Sequence, residues 1–380
     1  MLAPHSAFHP GHSIYAVCLL ALFLGGKSAA AQFDCEKTSR EELRSRISSE
    51  SQNETEEDGD LGLPIFLTSM IHLEGGSRDA EARGFFIETV HHLKDAMDLA
   101  EKYCAIQTIE SERPSAFAST WWEPEFFPDV LSRGHGVGTH CDVGFADSTS
   151  SYGEFVMALK LNKKLVDDLV GEENNTGCSG AGSEFDWVNA LSSAGFTYVD
   201  GVVGMHYLAL PIYNRPNGYT DSAIRSDGLY HNQAPVDLLD RTYLRTLKNT
   251  FDLEHDEDGV LVLSSGSLGK LQGISEGAYL SEAYYETNLE LSLDTSDVDA
   301  LVDLIQQIDE DRDRSRVSKI TIMSHAVDWD RDDDHNRPVL KYFLQQMKIL
   351  ADRGTIEWAA EKEVVDIYLD LMEEEATSSE

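Results

Sequence analysis

The chain alternates apolar runs of strand length with longer segments of helical spacing. The first run, Leu63-Pro64-Ile65-Phe66-Leu67-Thr68-Ser69-Met70-Ile71-His72-Leu73-Glu74-Gly75-Gly76, is almost continuously apolar and ends in polar residues and glycines. That is the pattern of a strand buried on both faces of a parallel sheet. Helical spacing follows over residues 83–104, a short strand over 105–109, and a second helix leading into Arg133-Gly134-His135. Helices are expected at 152–169 and at 184–194, the latter closed by Gly195, and a strand at 196–200. Later come strands at 259–263 and 320–325 and helices at 297–308 and 339–351. Strands separated by helix-length segments are βαβ units, and so many of them are accommodated most economically in an α/β fold closed as a (β/α) barrel. Residues 207–250 fit the rhythm poorly and are expected to form a long excursion over the barrel mouth.

The amino-terminal stretch departs from this pattern. Residues 13–24 form a short apolar run, followed by Gly25-Gly26-Lys27-Ser28-Ala29-Ala30-Ala31, whose small residues suit a cleavage site before Gln32. Positive charge upstream could come only from His5, His9 and His12. The apolar run is shorter than the ~18–20 residues of a spanning helix. Residues 1–31 therefore read as a signal peptide, the protein as secreted, periplasmic or extracellular, with no stable membrane insertion after cleavage. Residues 32–62 are polar and acidic, with too little to bury, and read as a disordered linker. The remainder, 63–375, reads as a single globular domain.

Net charge changes the choice of partner. With 68 acidic against 30 basic residues and a formal charge of −38, the protein's field repels nucleic acid and anionic membranes. Beyond the signal peptide stand Cys35, Cys104, Cys141 and Cys178. This even number suits an oxidising compartment and allows two disulfides in any of three pairings. No CxxC occurs, which argues against a cysteine zinc site.

In a parallel α/β barrel the functional side chains stand at the carboxyl ends of strands. Four places qualify: His72-Leu73-Glu74, the turn from Gly134 to Asp142, Asp200, and Ser324-His325. His72 and Glu74 are two apart on extended chain and so point to one side, an imidazole and a carboxylate suited to half of a divalent metal site. His140 and Asp142 repeat that spacing after the glycine-rich turn. His325, at the end of a strand, is suited to proton transfer near neutral pH.

The order of these segments resembles the NodB-homology polysaccharide deacetylases: an acidic first strand end, a Gly-His-x-x-Gly-x-His turn, a later glycine-rich loop and a final strand ending in histidine. The resemblance spans about residues 63–371. It implies a distorted barrel of about seven parallel strands, a metal held by an aspartate and two histidines, a catalytic aspartate beside the ligand, and a late histidine as acid. Glu74 falls at the metal-binding aspartate, His140 at the first histidine of the turn, and His325 at the late histidine. Leu73 stands in place of the catalytic aspartate and Gly144 in place of the second histidine. The loop from Gly177 to Trp187 lacks the family's arginine. His72 and Asp142 are substitutes for the two losses.

The resulting set is His72, Glu74 and His140 as ligands of a divalent metal ion, with zinc the expected ion, and Asp142 and His325 as catalytic groups. The exchange of roles between Asp142 and His72 stays open. His135, Asp186, Trp187, Asp200 and His206 are candidate substrate contacts, and Tyr207, Tyr213, Tyr219 and Tyr230 offer rings for stacking on sugars. The reading is an exported metal-dependent hydrolase removing acetyl groups from a carbohydrate. A glycoside hydrolase using Glu74 with Asp142 or Asp200, and a non-catalytic glycan-binding protein, are the alternatives. Amino-terminal sequencing of secreted material should find a start at or near Gln32; an intact Met1 would contradict the signal peptide.

Overall fold

Every residue of Ile65–Leu73 is buried, and this strand, β1, is the centre of the sheet. The computed structural model describes residues 42–43, 62–73, 81–142, 150–225, 229–233, 237–251, 253–280 and 292–378. The expected signal peptide and nearly all of the expected linker lie outside the described residues. Beyond β1 the strands are β2 (Gln107–Ser111), β3 (Gly136–Cys141), β4 (Gly177–Gly180), β5 (Tyr198–Asp200), β6 (Arg245–Leu247), β7 (Leu261–Ser264), β8 (Ser267–Lys270), β9 (Ser318–His325) and β10 (Ile356–Trp358). They form one sheet in the order β6-β7-β5-β4-β3-β2-β1-β9-β8, with β10 paired to the start of β1. Among the strands just described, β6 alone runs antiparallel, against β7.

The two ends of that order meet in one bent segment. β7 pairs with β5, β8 pairs with β9, and only Ser265 and Gly266 separate β7 from β8. Gly201 N–H donates to the Ser264 carbonyl on one side, and Thr321 N–H to the Gly266 carbonyl on the other. The ring thus runs β1-β2-β3-β4-β5-β7/β8-β9, a distorted α/β barrel of seven strand positions. Gly266 makes the bend possible: its φ is +101°, and a Cβ there would stand 2.1 Å from the Lys319 carbonyl oxygen.

Helices cover the outside. The main ones are α1 (Arg83–Glu101), α2 (Arg113–Trp122), α3 (Phe126–Ser132), α4 (Tyr152–Val170), α5 (Trp187–Ala194), α6 (Asp221–Arg225), α7 (Leu238–Thr242), α8 (Thr295–Asp311), α9 (Asn336–Asp352) and α10 (Glu361–Ser378). α4 illustrates the local logic. Ser151 caps it by accepting from the Glu154 N–H, and Phe155, Leu159, Asn162, Lys163 and Val166 make one buried face at helical spacing. Asn162 on that face donates to the His140 carbonyl at 2.7 Å, which fixes the end of β3.

The excursion of residues 207–250 is not a simple cover. Tyr207, Tyr219 and Tyr230 are buried within a second apolar cluster, with Trp187, Leu208 and Ile224, and only Tyr213 among the four tyrosines is exposed. Packing wins over sugar stacking for the first three.

Alternation along the strands sets what fills the barrel. On β1, Ile65, Leu67, Ile71 and Leu73 join the large apolar cluster shared with the outer helices. Thr68 points inward, where its hydroxyl donates to Glu361 Oε1 at 2.5 Å. The interior is closed by charge. Lys319 is fully buried and donates to Glu361 Oε2 at 2.6 Å, to the Ser264 carbonyl at 3.1 Å and to Asp200 Oδ1. Burial alone would drive the proton from Lys319, but the Asp200 and Glu361 carboxylates outweigh it and hold the ammonium above the usual lysine range. One cation faces two carboxylates, so burial and the Glu361 charge push Asp200 up to about 8, against the pull of Lys319.

Lys319→Met should lower the unfolding free energy by about 3–5 kcal/mol, because it leaves two buried carboxylates without their cation. Urea unfolding measures this directly. A loss below about 1 kcal/mol would mean that the carboxylates find water or other partners.

Candidate metal centre

Three buried groups converge at the carboxyl ends of the first three strands. His72 on β1, Glu110 on β2 and His140 on β3 each offer a ligand atom, and these atoms all lie within 4.8 Å of one another. The rings of His72 and His140 are 4.3 Å apart, centroid to centroid. His72 Nε2 stands 3.5 Å from Glu110 Oε2. That contact is an ion-pair distance without hydrogen-bond geometry, so both Glu110 oxygens are buried with no hydrogen-bond partner among the described residues.

The register explains the convergence. His72 is the Cα partner of Glu110 on one side and of His325 on the other. Glu110 in turn is opposite Gly138. A Cβ at position 138 would lie 3.1 Å from Glu110 Cγ and Oε1, so the glycine leaves the space that the glutamate side chain fills. Ser179 on β4, the register partner of His140, places its hydroxyl 2.8 Å from His140 Nδ1 and 3.2 Å from His72 Nε2. His72 Nε2 also lies 2.7 Å from Met70 Sδ. A disulfide between Cys141 and Cys178 joins the same two strands beside the histidines, and Cys104 is disulfide-bonded as well.

The donor set suits a divalent ion. Two imidazoles and a carboxylate are the ligands that zinc accepts, and tetrahedral ligand atoms about 2.0–2.2 Å from zinc are about 3.4 Å apart. A carboxylate fully buried without hydrogen bonds is costly unless a cation is shared with it. The residues present therefore fit a metal that His72, Glu110 and His140 would hold.

Glu110 was not legible by the rule that selected the other sites, although the signal existed. Residues 105–112 read Ala-Ile-Gln-Thr-Ile-Glu-Ser-Glu, a short run closed by carboxylates at i and i+2. Glu74, expected as the metal carboxylate, lies outside the described residues, as does Gly144. Glu112, two residues beyond Glu110, puts Oε1 3.9 Å from His140 Nε2 with its side chain 25% exposed. Asp142 follows β3 and accepts from the Tyr230 hydroxyl at 2.6 Å. His325 ends β9 next to His72, with its backbone N–H on Asp328 Oδ2 at 2.8 Å.

The expected substrate contacts have these surroundings. His135 opens the turn into β3, five residues before His140 and so about 16 Å away along extended chain. Its Nδ1 accepts from the Gln107 N–H at 3.0 Å, and burial pulls its pKa down to about 4. Asp186 caps α5, accepting from the Asn189 N–H and from the Thr250 hydroxyl. Trp187 is fully buried and donates to the His206 carbonyl at 3.1 Å. His206 is buried against the Gly180 carbonyl, 2.8 Å from Nε2, and burial lowers it too to about 4. Asp200 is committed to Lys319. The described polar contacts of the five are with neighbouring backbone groups and side chains.

Comparison with known proteins places the fold. A solved structure named "putative polysaccharide deacetylase" from Mycobacterium smegmatis is similar to the chain with a TM-score of 0.50 at 10% identity, over 83% of this chain and 93% of that one. A "probable Polysaccharide deacetylase" from Pseudomonas aeruginosa PAO1 aligns with a TM-score of 0.47 at 11% identity, over 80% and 90%. Puue allantoinase aligns at 0.47 and 10%, over 80% and 90%. No family model and no curated protein matches the sequence. The likeness is one of fold: the chain has a barrel similar to that of the Mycobacterium smegmatis structure, at 10% identity.

Zinc titrated into chelator-treated protein should bind at one equivalent per chain. Glu110→Gln and His140→Ala should each weaken binding at least about 100-fold, since each removes a ligand. Unchanged affinity in Glu110→Gln would exclude Glu110 from the metal set.

Proposed function

We propose that this protein is an exported, metal-dependent hydrolase that removes acyl groups, acetyl foremost, from a carbohydrate. The observation that carries the reading is the Glu110 carboxylate, fully buried, without a hydrogen-bond partner among the described residues and facing two imidazoles at the functional rim of an α/β barrel. The barrel of the neighbouring deacetylase structure supports it at the level of fold.

A bound zinc or similar ion would supply Lewis-acid polarisation of the acyl carbonyl and a water of lowered pKa. The remaining work falls to side chains on the rim. Glu112, partly exposed beside His140, takes the proton of the attacking water. Asp142, which accepts from the Tyr230 hydroxyl, orients the water or the sugar. His325, adjacent to His72 across the ladder, gives a proton to the departing amine or alcohol as the C–N or C–O bond breaks. The Ser179 hydroxyl between the two imidazoles holds their ring orientations. The glycoside hydrolase alternative loses one of its carboxylates, since Asp200 is tied to Lys319.

Zinc-loaded protein should release acetate from acetylated oligosaccharides, and a chelator should stop the release. His325→Ala should keep its zinc and lose turnover by about 10²–10⁴, the range for removal of a general acid. A zinc-loaded wild type that released no acetate from N-acetylated or O-acetylated sugars would sink this function.

A further inference from the structure

A second feature on the same rim points to a ligand of different chemistry. A cavity of about 40 Å³ is lined by Arg241, Arg245, Gln233, Ser265 and Ser267 on its polar side and by Val202, Leu253 and Leu263 on its apolar side. It begins at Gly201, directly after Asp200, and Asp200 is the register partner of the Ser179 that bridges the two metal-site histidines. Pocket and metal centre are therefore separate places on one rim.

Two guanidiniums line this small space in a chain with 68 acidic and 30 basic residues. Arg241 is 6% exposed and is held through Nη1 to the Tyr279 carbonyl at 2.8 Å. Burial lowers its pKa, and the groups that pull the other way are mainly the phenols of Tyr207, Tyr219 and Tyr279, with Asp237. Arg245 is turned by its Nη2 toward Asp240 at 2.9 Å, while its Nε is buried without a hydrogen-bond partner among the described residues. The Ser267 hydroxyl oxygen accepts from the Gly269 N–H, so its own proton points elsewhere. A desolvated cation gains most from an anion delivered into the same closed space. The planar guanidinium fork matches a carboxylate, and the volume admits a group of few atoms with a short apolar neighbour.

We propose that the Arg241–Arg245 pocket binds a carboxylate group, either a free short-chain monocarboxylate or the carboxylate of a sugar acid. Acidic glycans would then be retained by a protein whose overall charge repels them.

The test is calorimetric titration of the full chain at constant ionic strength with sodium acetate, sodium glucuronate and neutral acetamide. Acetate or glucuronate should bind saturably and acetamide should not, and whichever carboxylate is tighter identifies the source. Arg245→Gln should weaken that binding about tenfold or more, as loss of a charge-assisted hydrogen bond requires. Ser267→Val, which fills the pocket without touching a charge, should do the same if the arginine variant is unstable. His140→Ala, which strips the proposed metal centre, should leave carboxylate binding unchanged, so this outcome is independent of whether the protein is a deacetylase. Binding no stronger than that of acetamide, binding indifferent to both pocket variants, or binding lost in His140→Ala would each overturn the proposal.

Discussion

The buried ammonium of Lys319 organises this barrel. Lys319 on β9 reaches across the interior to Asp200 on β5, to the Ser264 carbonyl on β7 and to Glu361 at the start of α10. Glu361 in turn receives the hydroxyls of Thr68 on β1 and Thr321 on β9, and its backbone N–H donates to Thr108 on β2. Five strands and a helix thus share one buried hydrogen-bonded network. Such a network is costly when incomplete and specific when complete. It lies one layer or more below the inward positions Glu110, His72 and His140, which come together further along the strands.

The same alternation explains what could be read from sequence. β1 was legible because both of its faces are buried, and His72 and His140 because each ends a strand or a turn. β2 was half legible. Its outward Ile109 is apolar, whereas its inward Thr108 and Glu110 belong to a polar barrel interior, so the run looks weak and its carboxylate looks like surface. β4, Gly177-Cys178-Ser179-Gly180, carries no apolar run at all, and its strand conformation comes from β3 and β5 on either side. Trp187 and His206 carry no period that distinguishes a ligand contact from core packing. Their segment folds onto its own apolar cluster, where their polar atoms serve backbone groups.

The carboxylate of the site also has a geometric origin. Leu73 is 2% exposed and packs with the outer helices, so it belongs to the core and faces away from the histidines. The carboxylate comes from the neighbouring strand, where Gly138 leaves room for Glu110. At 10% identity the likeness to a solved structure is one of fold, the rim of a parallel barrel and its inward period of two.

X-ray absorption at the zinc edge, on protein loaded with one equivalent, tests the central claim most directly. Two imidazole nitrogens and carboxylate or water oxygens at about 2.0–2.2 Å are the ligands that His72, His140 and Glu110 would give. A first shell of oxygen alone, as surface carboxylates would provide, or one containing sulfur at about 2.3 Å, would contradict it.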